Sequence, residues 1–295
     1  MTNKRFFFIR GHMKSGTNWI CRLLNLHPDI DCRGEYHWHR YFETYQSNRE
    51  TFINLNRTET EKPVIRRGLS ELVRTSMLQR ADPDAKLIGG RTPHTIYPVV
   101  LPKSPHISLI RDCRDVLVSK MFHCFNGSGR IKLFEKSKTM QELIKAFKAD
   151  PWYFQKFPGK LLSHERFIRR TCSEWARYIR SDQSTANKQP NLPIMFVQYE
   201  KVHDDLRGVL NRMYRFLKVD PAAVTTIPEK LMPGHKKEMP NKFNRKGMVG
   251  DWQNYITERV KNWVNEEAGA EMLEQGYIQS LDWEISERHR RNSAA

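Results

Sequence analysis

The opening stretch of this chain restricts its fold more than any other. Arg5-Phe6-Phe7-Phe8-Ile9-Arg10 is a short apolar run bounded by charge, followed by Gly11-His12-Met13-Lys14-Ser15-Gly16-Thr17-Asn18. The run reads as a buried strand. Beyond the loop, Ile20, Leu23 and Leu24 are spaced for one face of a helix. The order is strand, glycine-containing loop, helix, and it recurs downstream. Lys86-Leu87-Ile88-Gly89 reads as a strand entering a loop, and His106 to Ile110 as a strand continued by a helix over Val116 to Phe122. Pro193 to Val197 is a further strand, followed by a helix carrying Leu206, Val209, Leu210, Met213 and Leu217. Such alternation predicts an α/β fold, a central parallel β-sheet flanked by helices. Phe167, Ile168, Trp175, Tyr178 and Ile179 also fall at helical offsets. Ser181 to Pro193, polar and proline-flanked, is expected to be a loop, and Met232 to Gly250 to be irregular. No stretch has the composition of a linker, so the expectation is a single domain over residues 1–295.

The charge balance asks for an anion. Fifty Lys and Arg residues face 33 Asp and Glu, a formal charge of +17. Nucleic acid, acidic lipid and a phosphate-bearing cofactor all satisfy that balance. The five cysteines, Cys21, Cys32, Cys113, Cys124 and Cys172, include no C-x-x-C pair. Their number and spacing argue against a disulfide scaffold and a zinc site, and no metal site is expected. No apolar run approaches the roughly 20 residues of a membrane span, and no secretory leader is visible. A cytoplasmic protein without a membrane span is the expectation.

Three segments are suited to binding phosphate. In the first, residues 11–19, a glycine turn between strand and helix directs backbone N–H groups at one point. Lys14 adds charge there, and Ser15 and Thr17 add hydroxyls. Lysine precedes Gly16 here, whereas the usual triphosphate loop places it after the second glycine. The second segment, residues 107–119, puts Arg111 at the end of an apolar strand and Ser119 further on, a guanidinium fork and a hydroxyl. Asp112 in that segment also admits a magnesium-holding role. The third, residues 244–257, sets Arg245 and Lys246 beside Gly247.

Together the three resemble the sulfotransferases that use 3′-phosphoadenosine 5′-phosphosulfate (PAPS). Lys14-Ser15-Gly16-Thr17-Asn18-Trp19 is similar to their 5′-phosphosulfate loop. Arg111 and Ser119 match their 3′-phosphate segment, and Arg245-Lys246-Gly247 their C-terminal nucleotide-closing element. The resemblance implies a P-loop nucleotide-kinase-like fold and PAPS as co-substrate, with no metal. It makes Lys14, Ser15, Gly16, Thr17, Asn18, Trp19, Arg111, Ser119, Tyr199, Arg245, Lys246 and Gly247 cofactor-binding. Trp19 and Tyr199 resemble the aromatic residues near the adenine, with core packing as the competing reading.

The reaction so implied moves a sulfuryl group to a hydroxyl or amine and needs a base. Glu35 lies where the protein-tyrosine and carbohydrate branches carry a catalytic glutamate, and a salt bridge to Arg33 or another surface cation is its alternative role. His94, in Arg91-Thr92-Pro93-His94, resembles the histidine of the small-molecule branch displaced by an inserted proline. Glu35 is preferred, His94 second, with His37 and His39 as possible pocket residues. The acceptor is a small molecule or glycan that the sequence does not specify, and the oligomeric state is likewise unspecified. Trp152, Tyr153, Phe154 and Phe157 read as core packing, with a lipophilic acceptor pocket as the alternative. A P-loop kinase or NTPase and a basic nucleic-acid-binding module are the competing functions; under the preferred one no nucleic-acid partner is expected.

Overall fold

The computed structural model describes residues 4–35, 61–92, 101, 103–127, 132–235, 237–242 and 245–285. These divide into two compact units. One draws on Met1–His12, Gly16–Ile110 and Asp182–Leu231, the other on Met13–Ser15, Arg111–Ser181 and Met232–Ala295.

The first unit holds the sheet. Its strands are β1 (Arg5–Gly11), β2 (Ile30–Glu35), β3 (Leu87–Thr92), β4 (His106–Ile110) and β5 (Ile194–Gln198), in the order β2-β3-β1-β4-β5. All four pairings are parallel, with Phe8 opposite both Gly90 and His106. Side chains of a strand alternate between faces, and a central parallel strand is buried on both, which accounts for the unbroken phenylalanine run. Phe7 and Ile9 meet Ile20, Leu23 and Leu24 of α1 (Thr17–Leu24). Phe6 and Phe8 pack on the other face, with Val73 and Met77 of α2 (Glu61–Leu78). The α/β reading is therefore the observed fold.

The second unit is built round α3 (Cys113–Phe125), buried over most of its length. Phe122 meets Phe147 of α4 (Lys138–Ala149) and Phe154 edge-on, and Phe125 meets the same two rings at a tilt; the ring centroids of Phe125 and Phe154 are 4.6 Å apart. Of the aromatic group expected in the core, only Phe154 is fully buried. Trp152 and Phe157 are exposed, because their short helical turn has just one inward face.

One sequence expectation is corrected. The segment from Ser181 to Pro193 is not a loop throughout: α5 (Glu165–Lys188) continues well into it. Asp182 gives the reason. Its carboxylate is buried and takes Arg10 of β1 on one oxygen and the Ser108 hydroxyl, at 2.7 Å, on the other. A polar helical turn is thereby tied to the sheet. Strand β2 also escaped the sequence reading, since Ile-Asp-Cys-Arg-Gly-Glu has no apolar run. The remaining helices used below are α6 (Tyr199–Asp204), α7 (Leu206–Phe216) and α8 (Glu258–Glu274).

Candidate functional site

The candidate residues fall into two groups, one in each unit. Arg111 organises the group in the second. It follows β4 directly, and the indole N–H of Trp175 on α5 donates to its carbonyl at 2.8 Å. Its guanidinium donates to the carbonyl of Lys14 at 3.2 Å and to that of Met248 at 2.8 Å. Asp115, one helical turn on, lies 3.6 Å from the same guanidinium. The two oxygens of Asp115 accept the backbone N–H groups of Gly250, at 2.8 Å, and Trp252, at 3.0 Å. Burial raises the pKa of this carboxyl, opposed by Arg111. The first and third predicted segments are thus both fastened to the second.

Lys14 has left-handed backbone with φ 74°, a conformation that a β-carbon makes costly. Its ammonium is pushed down to about 8, first by burial and next by the charge of Arg111, with Arg245 adding to the effect. Arg245 is held by Glu238 and Asp251. Lys246 reaches Asp251 at 2.9 Å and Glu238 at 3.4 Å. The face of Phe122 lies 4.2 Å from the Arg245 guanidinium. Ser15 has a buried hydroxyl with no hydrogen-bond partner among the described residues. Ser119 lies part-buried on α3, and Gly247 has left-handed backbone at φ 68°. Asn244 lies outside the described residues.

Asp112 is already engaged. It caps α3 by accepting the N–H of Arg114 at 2.9 Å, and its carboxylate takes that residue's guanidinium at 2.7 Å. Arg114 in turn stacks on Trp252 at 3.8 Å and Trp283 at 4.7 Å. This pairing weighs against a magnesium-holding role for Asp112. Among the described residues there is no cluster of three side chains suited to a metal.

The first unit carries the other group. Gly16 precedes α1 with φ 96° and supplies no side-chain cap, so no side chain competes for the helix's leading N–H groups. A β-carbon at Gly16 would come within 2.5 Å of the Tyr199 ring, which explains the glycine independently of its φ. Tyr199 begins α6 and is buried, its ring centroid 5.3 Å from that of Trp19. His203, one turn further on, lies 5.0 Å from Trp19 and 4.7 Å from Tyr199. The Trp19 indole donates to the carbonyl of Leu231 at 2.9 Å.

Glu35 ends β2 after a bulge, where the register against β3 shifts between Cys32 and Glu35 and Gly34 takes φ 78°. A bulge turns the following side chain out of the regular pleat. Glu35 is half-exposed, and Arg91 of β3, not Arg33, approaches it at 3.4 Å. Arg33 pairs instead with Asp31 at 2.6 Å. Arg91 also donates to the side chain of Asn18 and to the carbonyl of Gly34, so Asn18 and Glu35 share one guanidinium. Thr17 opens α1 beside Asn18. His94, His37 and His39 lie outside the described residues.

Sequence reasoning gave no site role to the acids Asp115 and Asp251, which lie within the second and third segments, and missed Glu238. It also missed His123 on α3, whose pKa burial and the Lys14 charge push down to about 4.

A parallel sheet with Lys14 in the segment after β1 and Arg111 directly after β4 puts the chain in the class of open α/β-sheet proteins. Within it, the family model described as Sulfotransferase domain matches residues 4–275, and the chain belongs to that family. It is similar to a 3-beta-hydroxysteroid sulfotransferase of Cavia porcellus, 23% identical over 83% of this chain and 75% of the relative. An amine sulfotransferase of Oryctolagus cuniculus is 24% identical over 85% and 75%. Among solved structures, mouse sulfotransferase SULT7A1 complexed with PAP has a TM-score of 0.48 at 18% identity, over 98% of this chain and 88% of its own. A sulfotransferase from Alicyclobacillus acidocaldarius has a TM-score of 0.41 at 15% identity, over 95% and 97%. No helix of the described residues is long and apolar enough to cross a membrane.

Proposed function

We propose that this sulfotransferase takes its sulfuryl group from PAPS, passes it to a hydroxyl or amine of a small molecule or glycan, and releases adenosine 3′,5′-bisphosphate. The observation that carries the reading is the setting of Lys14. Its ammonium is depressed by burial and by two arginines, Arg111 and Arg245, and the buried Ser15 hydroxyl beside it in sequence lacks a partner among the described residues. An anion relieves both conditions, so the residues present fit a phosphate-bearing co-substrate.

In this reading Lys14, Ser15 and the N–H groups from Gly16 to Asn18 hold the 5′-phosphate, together with the Thr17 hydroxyl. Arg111, Ser119, Arg245, Lys246 and Gly247 hold the 3′-phosphate, and Trp19 and Tyr199 flank the base. When bound, PAPS supplies the activated sulfuryl group and a phosphate leaving group. Lys14 then stabilises negative charge that grows on that phosphate oxygen, a transition-state effect of preorganised charge. Glu35 accepts the acceptor's proton at its carboxylate, with Arg91 fixing the carboxylate's direction; His94 is the second candidate. Two relatives whose names specify a hydroxysteroid and an amine support an acceptor of small-molecule kind. The protein acts in the cytoplasm, as one catalytic domain.

Thermal melting tests the reading. Adenosine 3′,5′-bisphosphate raises the melting temperature, since a ligand selective for the folded state stabilises it by mass action. ATP with magnesium produces a smaller rise. A larger rise with ATP would favour the kinase reading, and no rise with the bisphosphate would remove the proposal.

A further inference from the structure

Arg245 and Lys246 already hold two carboxylates, and the two are not alike. Asp251 is almost wholly buried, its side chain 3% exposed, and takes Arg245, Lys246 and the Asn254 amide, the last at 3.1 Å. Burial works against its charge, but Arg245 and Lys246 prevail and hold it below the usual carboxylate range. Glu238 is the outer partner, its side chain 16% exposed. One of its oxygens takes the Nη1 of Arg245 and the amide of Gln155, the latter at 2.9 Å. The other lies 3.4 Å from the Nζ of Lys246. Glu238 comes from the irregular stretch before Arg245, and the N–H of Met239 donating to the carbonyl of Arg245 at 2.9 Å brings the two together.

A carboxylate and a phosphate compete for the same donors, a guanidinium fork and an ammonium. Resting on the assignment of these cations to the 3′-phosphate, we propose that Glu238 is a specificity-determining residue that stands in for that phosphate and sets the affinity for it. Asp251 positions Arg245 and Lys246 whether or not ligand is present. Glu238 takes the donors that remain, and a phosphate arriving there must displace it or bear its repulsion. The 3′-phosphate is what separates this nucleotide from its 5′-monophosphate analogue, so Glu238 governs how strongly the two are told apart.

Glu238→Gln is the informative variant. It removes the charge and keeps the volume, and its new amide has a partner waiting: the buried carbonyl oxygen of Gln155 has none among the described residues. Titration calorimetry on the full chain compares adenosine 3′,5′-bisphosphate with adenosine 5′-monophosphate. The variant binds the bisphosphate about tenfold more tightly than wild type, the range expected for loss of one part-exposed opposing charge. Its affinity for the monophosphate changes less than about twofold, and Asp251→Asn weakens bisphosphate binding. Unchanged or weaker bisphosphate binding by Glu238→Gln overturns the proposal, as does an equal gain for both nucleotides or an equal gain in Asp251→Asn. Glu238→Ala must move in the same direction and decides the matter if the glutamine variant does not fold. Failure of wild type itself to bind the bisphosphate removes the assigned nucleotide, and this proposal with it. Tight wild-type binding unaltered by the substitution removes only the role of Glu238.

Discussion

Arg10 and Lys14 lie four residues apart at the end of one strand, and the structure treats them in opposite ways. Arg10 is almost completely buried and faces Asp182, whose second oxygen is taken by Ser108. The pair is matched charge for charge. Lys14 is less buried, yet burial and then the like charge of Arg111 push its ammonium down, with Arg245 adding to the effect. A buried cation with its counter-ion in place is architecture. A lysine whose charge is disfavoured by burial and by a neighbouring arginine is costly to the folded chain, and in the proposed reading an arriving anion recovers that cost. The contrast separates two basic residues of the same segment that composition cannot tell apart.

Substitution breaks the contrast most directly. Lys14→Ala lowers single-turnover transfer by about 10²–10³-fold, the loss typical of one preorganised charge at a developing anion, and leaves melting nearly unchanged or higher. Glu35→Gln, which removes the proposed base, costs about 10²–10⁴-fold. Near-normal rates in that variant, with loss in His94→Ala, would transfer the role to the histidine. Arg10→Met should do the reverse of Lys14→Ala. It strands the Asp182 carboxylate and costs about 3–5 kcal/mol in denaturant unfolding, much of which the double variant Arg10→Met/Asp182→Leu regains. A retained stability in the single variant would contradict the architectural reading of that pair.

The smallest effect sharpens the comparison through pH. Lys14 titrates near 8 in the ligand-free fold against 10.5 for an ordinary lysine. Between those values the unfolded chain holds a proton that the folded chain has lost, so its contribution to stability rises with pH across that window and the penalty is fully present below 8. Anion binding favours the charged lysine and reverses the shift. Affinity for adenosine 3′,5′-bisphosphate therefore falls above pH 8, by up to about tenfold per unit, while Lys14→Met shows a flatter profile. Identical slopes in the two proteins would separate the titration from this residue.

The parts of the fold that the sequence announced are those with a one-dimensional signature. The Phe6–Ile9 run, the His106–Ile110 run and the periodic residues of α1 and α7 each carry their apolar face in consecutive letters. Strand β2 and the end of α5 lack that property. Their places depend on Asn25, whose side chain accepts the N–H of Cys32 at 2.7 Å, and on Asp182, and neither tie is visible until the chain is folded. The site divides in the same manner. Lys14, Arg111, Arg245 and Lys246 sit in short motifs, where residue type and the family resemblance together suggest a phosphate. Asp115, Glu238 and Asp251 are ordinary acids in the sequence, and their importance comes from the cations they face. Glu35 is a candidate through the family resemblance alone, and its link to Asn18 through Arg91 required the pairing of β2 with β3.

The two hydrogen bonds that Asp115 accepts from Gly250 and Trp252 bear on how a ligand is met. The stretch from Arg245 to Trp252 is fastened at its far end by that carboxylate and at its near end by the Met239–Arg245 backbone hydrogen bond. Closing such a stretch around a nucleotide from a freely moving state would consume conformational entropy residue by residue. Here that ordering is completed when the protein folds, so in the proposed reading association costs the ligand's own freedom and the displacement of Glu238. In that reading Asp115, which need touch no phosphate, contributes to affinity by what it prevents the unliganded chain from doing.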